Sequence, residues 1–127
     1  MNMHIFYETL EKCEKELENL AASDEEKFMS TIARLGFSST VGERGAALYL
    51  AKNLNGNELE IELGPSLVNT NGRVSKLFRR WTQIRYTHIT FYDKDGVSIH
   101  PSEMSEDEMK RYLTEAESVI EHFKKRN

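Results

Sequence analysis

Between Gly64 and Tyr92 the chain runs for 29 residues without an aspartate or a glutamate. Its 21 acids, spread evenly over 127 residues, would place about five there. The stretch carries Arg73, Lys76, Arg79, Arg80 and Arg85 instead, a local charge of +5 in a chain of net charge −4. The remainder therefore sums to −9. Charge is segregated along the chain, acidic at both ends and basic in the middle. Such segregation bears on partners and not on fold.

Other shortages exclude whole classes. Cys13 is the one cysteine, so no internal disulfide forms, which fits a reducing compartment. No run approaches the ~20 apolar residues of a membrane span. Residues 1–20 are dense in Glu and Lys and lack the apolar centre of a signal peptide. The expected location is cytoplasmic, with no membrane partner. Neither G-x-x-x-x-G-K-[ST] nor G-x-G-x-x-G occurs, and the histidines match no zinc spacing. No cofactor and no metal are expected. Pro65 and Pro101 are the only prolines, each placed where a strand would end.

The remaining composition is that of a soluble globular protein, 39% hydrophobic and 30% charged. A chain this long buries roughly two-thirds of its unfolded surface without a staple. Residues 1–127 are expected to form a single globular domain. Phe6, Leu10, Cys13, Leu17 and Leu20 are spaced 4, 3, 4, 3, which predicts a helix. Ser23 with Glu26 reads as a capping box opening a second helix, with Phe28, Met29, Ile32 and Leu35 inward and Gly36 as its stop. Together they predict an αα-hairpin. The stripe covers only about two heptads, short for a coiled-coil dimer.

Residues 57–63 alternate strictly. Leu59, Ile61 and Leu63 fall on one face of a strand and Glu58, Glu60 and Glu62 on the other. Two conformations fit the segment before it. A two-residue turn at Asn55-Gly56 pairs Leu48 with Leu63, Leu50 with Ile61 and Lys52 with Leu59. A helix over 41–54, opened by Thr40 and Glu43, competes, although Gly42 and Gly45 each weaken it by up to ~1 kcal/mol. The hairpin is preferred because it gathers the large apolar residues on one side.

After Pro65, Val74, Leu77, Phe78 and Trp81 mark one face of a short basic helix, with Thr70 or Asn71 as its cap. Residues 82–92 are rich in β-formers and lead into the turn Asp93-Lys94-Asp95-Gly96. A three-residue loop with Gly96 left-handed pairs Phe91 with Ile99 and Asp93 with Val97. It is preferred over a two-residue loop because it places Ile89, Phe91, Val97 and Ile99 on one face. Ser105 with Glu108 caps a long final helix striped by Met109, Tyr112, Leu113, Ala116, Ile120 and Phe123. The expected class is α+β: an N-terminal αα-hairpin, an antiparallel sheet of three to four strands, a short basic helix between hairpins and a long C-terminal helix.

Each candidate site has a plainer explanation. Arg73, Lys76, Arg79, Arg80 and Arg85, with Trp81 as an apolar anchor, can grip phosphates or an acidic protein surface. Pairing of Arg85 with Glu58, Glu60 or Glu62 on a neighbouring strand would quench part of that charge. The 66–72 loop precedes a helix and can hold a phosphate, or can simply cap. His88 and His100 can share a sheet face with Tyr86, Tyr92 or Glu103 and serve as a catalytic or metal site; histidines on sheets usually do neither. Cys13 inside an apolar stripe is a small hydrophobe rather than a nucleophile. Glu58, Glu60 and Glu62 project at roughly 7 Å intervals, near the phosphate spacing of one nucleic-acid strand. A solvated sheet face has the same pattern.

The leading expectation is a small non-enzymatic binding or regulatory protein, engaging nucleic acid or an acidic protein surface through residues 73–86. The alternative is an acidic protein-binding inhibitor or adapter, acting through Glu58, Glu60 and Glu62 or through the helical hairpin. A third reading is an enzyme using the His/Tyr sheet face.

Overall fold

The computed structural model describes residues 2–41, 47–65 and 84–125, with Pro65, Ile84 and Arg85 described by their backbone. Three helices and four strands lie among these residues. They are α1 (Met3–Ser23), α2 (Glu25–Arg34), β1 (Ser38–Val41), β2 (Leu48–Leu54), β3 (Asn57–Pro65), β4 (Ile84–Tyr92) and α3 (Glu106–Lys124). A 3-10 turn, Pro101–Glu103, precedes α3. The class is α+β, as the periodicities predict. No helix among the described residues is long and apolar enough to cross a membrane.

The strands form one antiparallel sheet in the order β1-β2-β3-β4. The Asn55-Gly56 turn is used, with both residues at positive φ, as a two-residue hairpin of this type requires. Leu48 pairs with Leu63, Leu50 with Ile61 and Lys52 with Leu59, so the predicted register holds and β2 is a strand rather than a helix. On the next strand Leu59 faces Phe91 and Ile61 faces Ile89. One face of the sheet thus carries the leucines, isoleucines and Phe91. The helices pack on that face, and together they enclose one core that includes Phe6, Leu17, Phe28, Leu50, Ile61 and Tyr112. Each such side chain contributes roughly 1.5–3 kcal/mol by leaving water.

Lys52 falls on the apolar face by register. Its ammonium escapes sideways to Glu115 Oε1 on α3, 2.8 Å away, and also lies 5.7 Å from the centroid of the Phe37 ring. Long stems of this kind tolerate a half-buried position because the charge reaches a partner.

Several expectations need correction. The N-cap of α2 is Asp24, whose carboxylate accepts from Lys27 N–H; Ser23 ends α1 and donates to the Leu20 carbonyl. The two helices meet with no linker long enough for Ser23 to cap the second. The fourth strand is β1, which no periodic pattern marks because all four of its residues are exposed. The three-residue loop after β4 does form: Gly96 has φ +81, Asp93 N–H donates to the Val97 carbonyl, and Ile99 N–H donates to that of Phe91. It makes a bridge between Tyr92 and Ser98 and not a fifth strand. Val97, expected inward, is 60% exposed: it is still hydrogen-bonded to Asp93, at the loop end of the arm beyond the edge of the core. The predicted basic helix, with Arg73, Lys76, Arg79, Arg80 and Trp81, lies outside the described residues. So do the 66–72 loop and residues 42–46.

Tyr112 ties the two layers together. Its ring stacks on Phe91 with centroids 4.7 Å apart, and its hydroxyl receives a hydrogen bond from the Asn57 side-chain amide. Tyr112→Phe is expected to cost about 1 kcal/mol by stranding the Asn57 amide. Tyr112→Ala is expected to cost about 3–5 kcal/mol by opening a cavity. Urea unfolding of the two variants measures both.

Candidate functional site

Strict alternation in β3 sends Glu58, Glu60 and Glu62 to the face opposite the helices. The register surrounds this row with aromatic neighbours. Tyr49 on β2 is opposite Glu62, and on β4 Tyr92 is opposite Glu58 and Tyr86 opposite Gly64. Directly paired side chains of this kind sit about 4.5–5.5 Å apart at Cβ, and diagonal ones remain within reach of long side chains. Tyr86 OH donates to Glu62 Oε2 at 3.0 Å, and Tyr92 OH donates to Glu60 Oε1 at 3.3 Å, each bond running diagonally. The phenols thereby steer two of the three carboxylates.

Gly64 makes this possible. A Cβ there would lie 2.3 Å from the Tyr86 ring, so the ring lies across the glycine where any side chain would push it away. The phenol of Tyr86 is pushed up to about 12, first by burial and then by the Glu62 carboxylate it bonds. Burial, then the Glu60 carboxylate, raises Tyr92, and burial, then Glu62, raises Tyr49. All three therefore stay protonated donors through the physiological range. Burial also raises the Glu60 carboxyl, Glu58 and Glu62 add to the rise, and the Tyr92 bond opposes it. Among the described residues, no lysine or arginine forms an ion pair with the row. Lys94 lines a shallow depression with Glu58, Glu60 and Tyr92, and His88 on β4 is opposite Glu62.

A second feature lies along the free edge of β4. A cleft of about 750 Å³ opens between α1 and β4 and runs to the 98–101 arm. The residues of α1 that reach it, His4, Tyr7, Glu8, Glu11 and Glu14, recur every three or four positions beside the core stripe. Glu14 Oε2 accepts from the outward N–H of Ile89 at 2.8 Å and lies 3.5 Å from His88 Nδ1. The first bond covers a sheet-edge donor that would otherwise face a void, and blunts that edge against another strand. Burial raises the Glu14 carboxyl; the Ile89 amide and then His88 pull it back.

The predicted histidine pair is brought to this one cleft but not to one another's service. His100 Nδ1 accepts from Ser102 N–H at 3.1 Å and lies 2.8 Å from Ser102 Oγ, while Glu103 closes the reciprocal bond to His100 N–H. Both residues act as a cap. Among the described residues, no three His, Cys, Asp or Glu side chains are arranged to hold a metal. Cys13 is buried, and burial with nearby glutamates pushes its thiol to about 12, so it packs as a hydrophobe. Arg85 belongs to β4 by its backbone, one residue before Tyr86. Sequence reasoning identified the glutamate row but missed Tyr49 as its neighbour and missed Glu14 altogether. The three-and-four spacing of His4, Glu8, Glu11 and Glu14 was the available signal.

No family model, no curated protein and no solved structure matches the chain. The side chains alone therefore carry the functional argument.

Two outcomes follow from this geometry. Gly64→Ala is expected to swing Tyr86 off the strand and cost about 1 kcal/mol through the lost packing and the Glu62 bond. In a Tyr86→Ala background the same change is expected to be neutral or slightly stabilising, as a double-mutant cycle in urea would show. The second concerns pH. The folded pKa of Glu60 is above its ordinary 4.5, so the folded chain holds that proton more readily than the unfolded chain. The ionised carboxylate thus costs stability at neutral pH, and the cost fades as pH falls through the raised value. Glu60→Gln is expected to gain about 0.5 kcal/mol at neutral pH, with the gain vanishing below pH 4.5. Urea midpoints at the two pH values check it.

Proposed function

We propose that this chain is a non-enzymatic binding protein that presents the open face of its sheet to a cationic surface on a partner protein. The observation that carries the reading is the row Glu58, Glu60 and Glu62, with Tyr49 beside it on β2 and with Tyr86 and Tyr92 on β4 donating to Glu62 and Glu60. The helices occupy the opposite face of the sheet. Tyrosine supplies large contact area at low entropic cost, and carboxylates supply steering and register. Row spacing near that of phosphates suits a partner surface that otherwise grips nucleic acid. On this reading the protein acts as an inhibitor or adapter by occupying that surface.

A second reading rests on the 29-residue acid-free stretch and its local charge of +5. In it Arg73, Lys76, Arg79, Arg80 and Arg85, with Trp81, engage nucleic acid or an acidic protein surface. The two differ in the sign of the working face, so reversing one charge set separates them.

Affinity purification of the tagged chain from its own cells tests the choice. Glu60→Lys with Glu62→Lys is expected to release the bound protein, and Arg79→Ala with Arg80→Ala is expected to retain it. The reverse pattern, together with retention of nucleic acid at low salt that fades steeply as salt rises, supports the basic segment and overturns the acidic face.

A further inference from the structure

The cleft beside β4 has the makings of a side-chain pocket distinct from the sheet face. Its floor is apolar, made by Phe6, Leu10, Ile89 and Phe91, all buried in the core. One wall is the α1 stripe of Glu8, Glu11 and Glu14. Among the described residues that line it there is no lysine or arginine. Glu14 is the innermost carboxylate, with its side chain only 17% exposed, and it is held in place through one oxygen by the Ile89 amide. Its other oxygen makes no hydrogen bond to a described residue.

A cavity with an apolar floor and anionic wall selects its occupant by chemistry. An anion would meet three carboxylates, although His4, His88 and His100 also line the cleft and His88 lies 3.5 Å from Glu14 Oε2. A purely apolar ligand would cover Glu14 while only its Oε2 has partners, the Ile89 amide and His88, which is costly in a half-buried site. An ammonium or guanidinium on a flexible apolar stem satisfies both surfaces: the stem lies against the exposed parts of Tyr7 and Ile99, and the head reaches Glu14. The rim adds further apolar area. Tyr7 at the mouth is 44% exposed, and Ile99 and Pro101 continue the wall beyond β4. A volume of about 750 Å³ exceeds one side chain and matches a few residues of extended peptide.

The geometry points to this cleft as a binding site for a short peptide segment of a partner protein that alternates apolar residues with arginine or lysine. The inference stands apart from the sheet-face reading, because Glu8, Glu11 and Glu14 belong to α1 and the glutamate row to β3. The two sites can fail separately.

The test uses the full chain labelled with ¹⁵N and titrated with a capped pentapeptide alternating leucine and arginine. A peptide with glutamate in place of arginine and free spermidine serve as comparisons. The expected result is shifts confined to amides of residues 4–14, 88–91 and 98–101, with no response to the glutamate peptide and a weaker one to spermidine. Glu11→Gln with Glu14→Gln is expected to weaken binding about tenfold, the size of one lost charge-assisted contact. Glutamine at 14 keeps an oxygen for the Ile89 amide, and unchanged hairpin shifts verify that the variant is folded. Glu121→Gln, on the exposed side of α3, is expected to leave this affinity unchanged. Shifts elsewhere, equal binding of the glutamate peptide, unaltered affinity in the double variant, or spermidine binding as tightly as the peptide each overturns the proposal.

Discussion

The period-two alternation of β3 is the constraint on which the rest depends. Leu59, Ile61 and Leu63 must face the helices, so Glu58, Glu60 and Glu62 must face away. A slip of one residue would bury three carboxylates and expose the centre of the core, which no rearrangement of side chains repairs. The Asn55-Gly56 turn secures the register on one side, and the stacking of Phe91 on Tyr112 secures it on the other. With the helices gathered on a single face, the sheet has two different surfaces by necessity. The glutamates are what the second surface displays.

That surface is electrostatically uneconomical for stability alone. Three like charges recur on one strand, and burial works against ionisation of the middle one. The tyrosines soften the conflict by donating to Glu60 and Glu62, and Gly64 gives up a side chain so that Tyr86 can do so. Local rules are broken here in favour of an ordered acidic and aromatic surface, which is the ground on which the binding proposal rests. Glu14 shows a related device at the sheet edge, where one carboxylate closes the edge and turns its remaining oxygen to a cleft.

Much of this architecture was legible in the residues. The core stripe of α1, the β2–β3 register and the Ser105–Glu108 cap follow from spacing and turn chemistry, which act within a few positions. What escaped depends on long-range packing. Ser38–Val41 pairs as an edge strand although nothing in its four exposed residues alternates. Val97 is exposed although it keeps its hydrogen bond to Asp93, because it sits at the loop end of the arm, beyond the reach of the core. Asp24 displaces Ser23 as a cap because the buried stripe of α1 continues to Ala21 and carries the helix through Ser23. The cleft arises where α1 crosses β4, residues far apart in sequence, so only its α1 half left a trace in the spacing. The basic residues between Pro65 and Ile84 were the loudest compositional signal, and they lie outside the described residues.

The central claim is that the glutamate row faces solvent and attracts positive charge. Paramagnetic relaxation measured with a cationic and an anionic nitroxide of equal size reads the local potential at each proton directly. Side-chain and amide protons of Glu60, Thr90 and Tyr92 are expected to relax more strongly with the cationic probe. Equal effects, or a stronger effect of the anionic probe, would mean that the face is covered or already neutralised, and the account would be wrong.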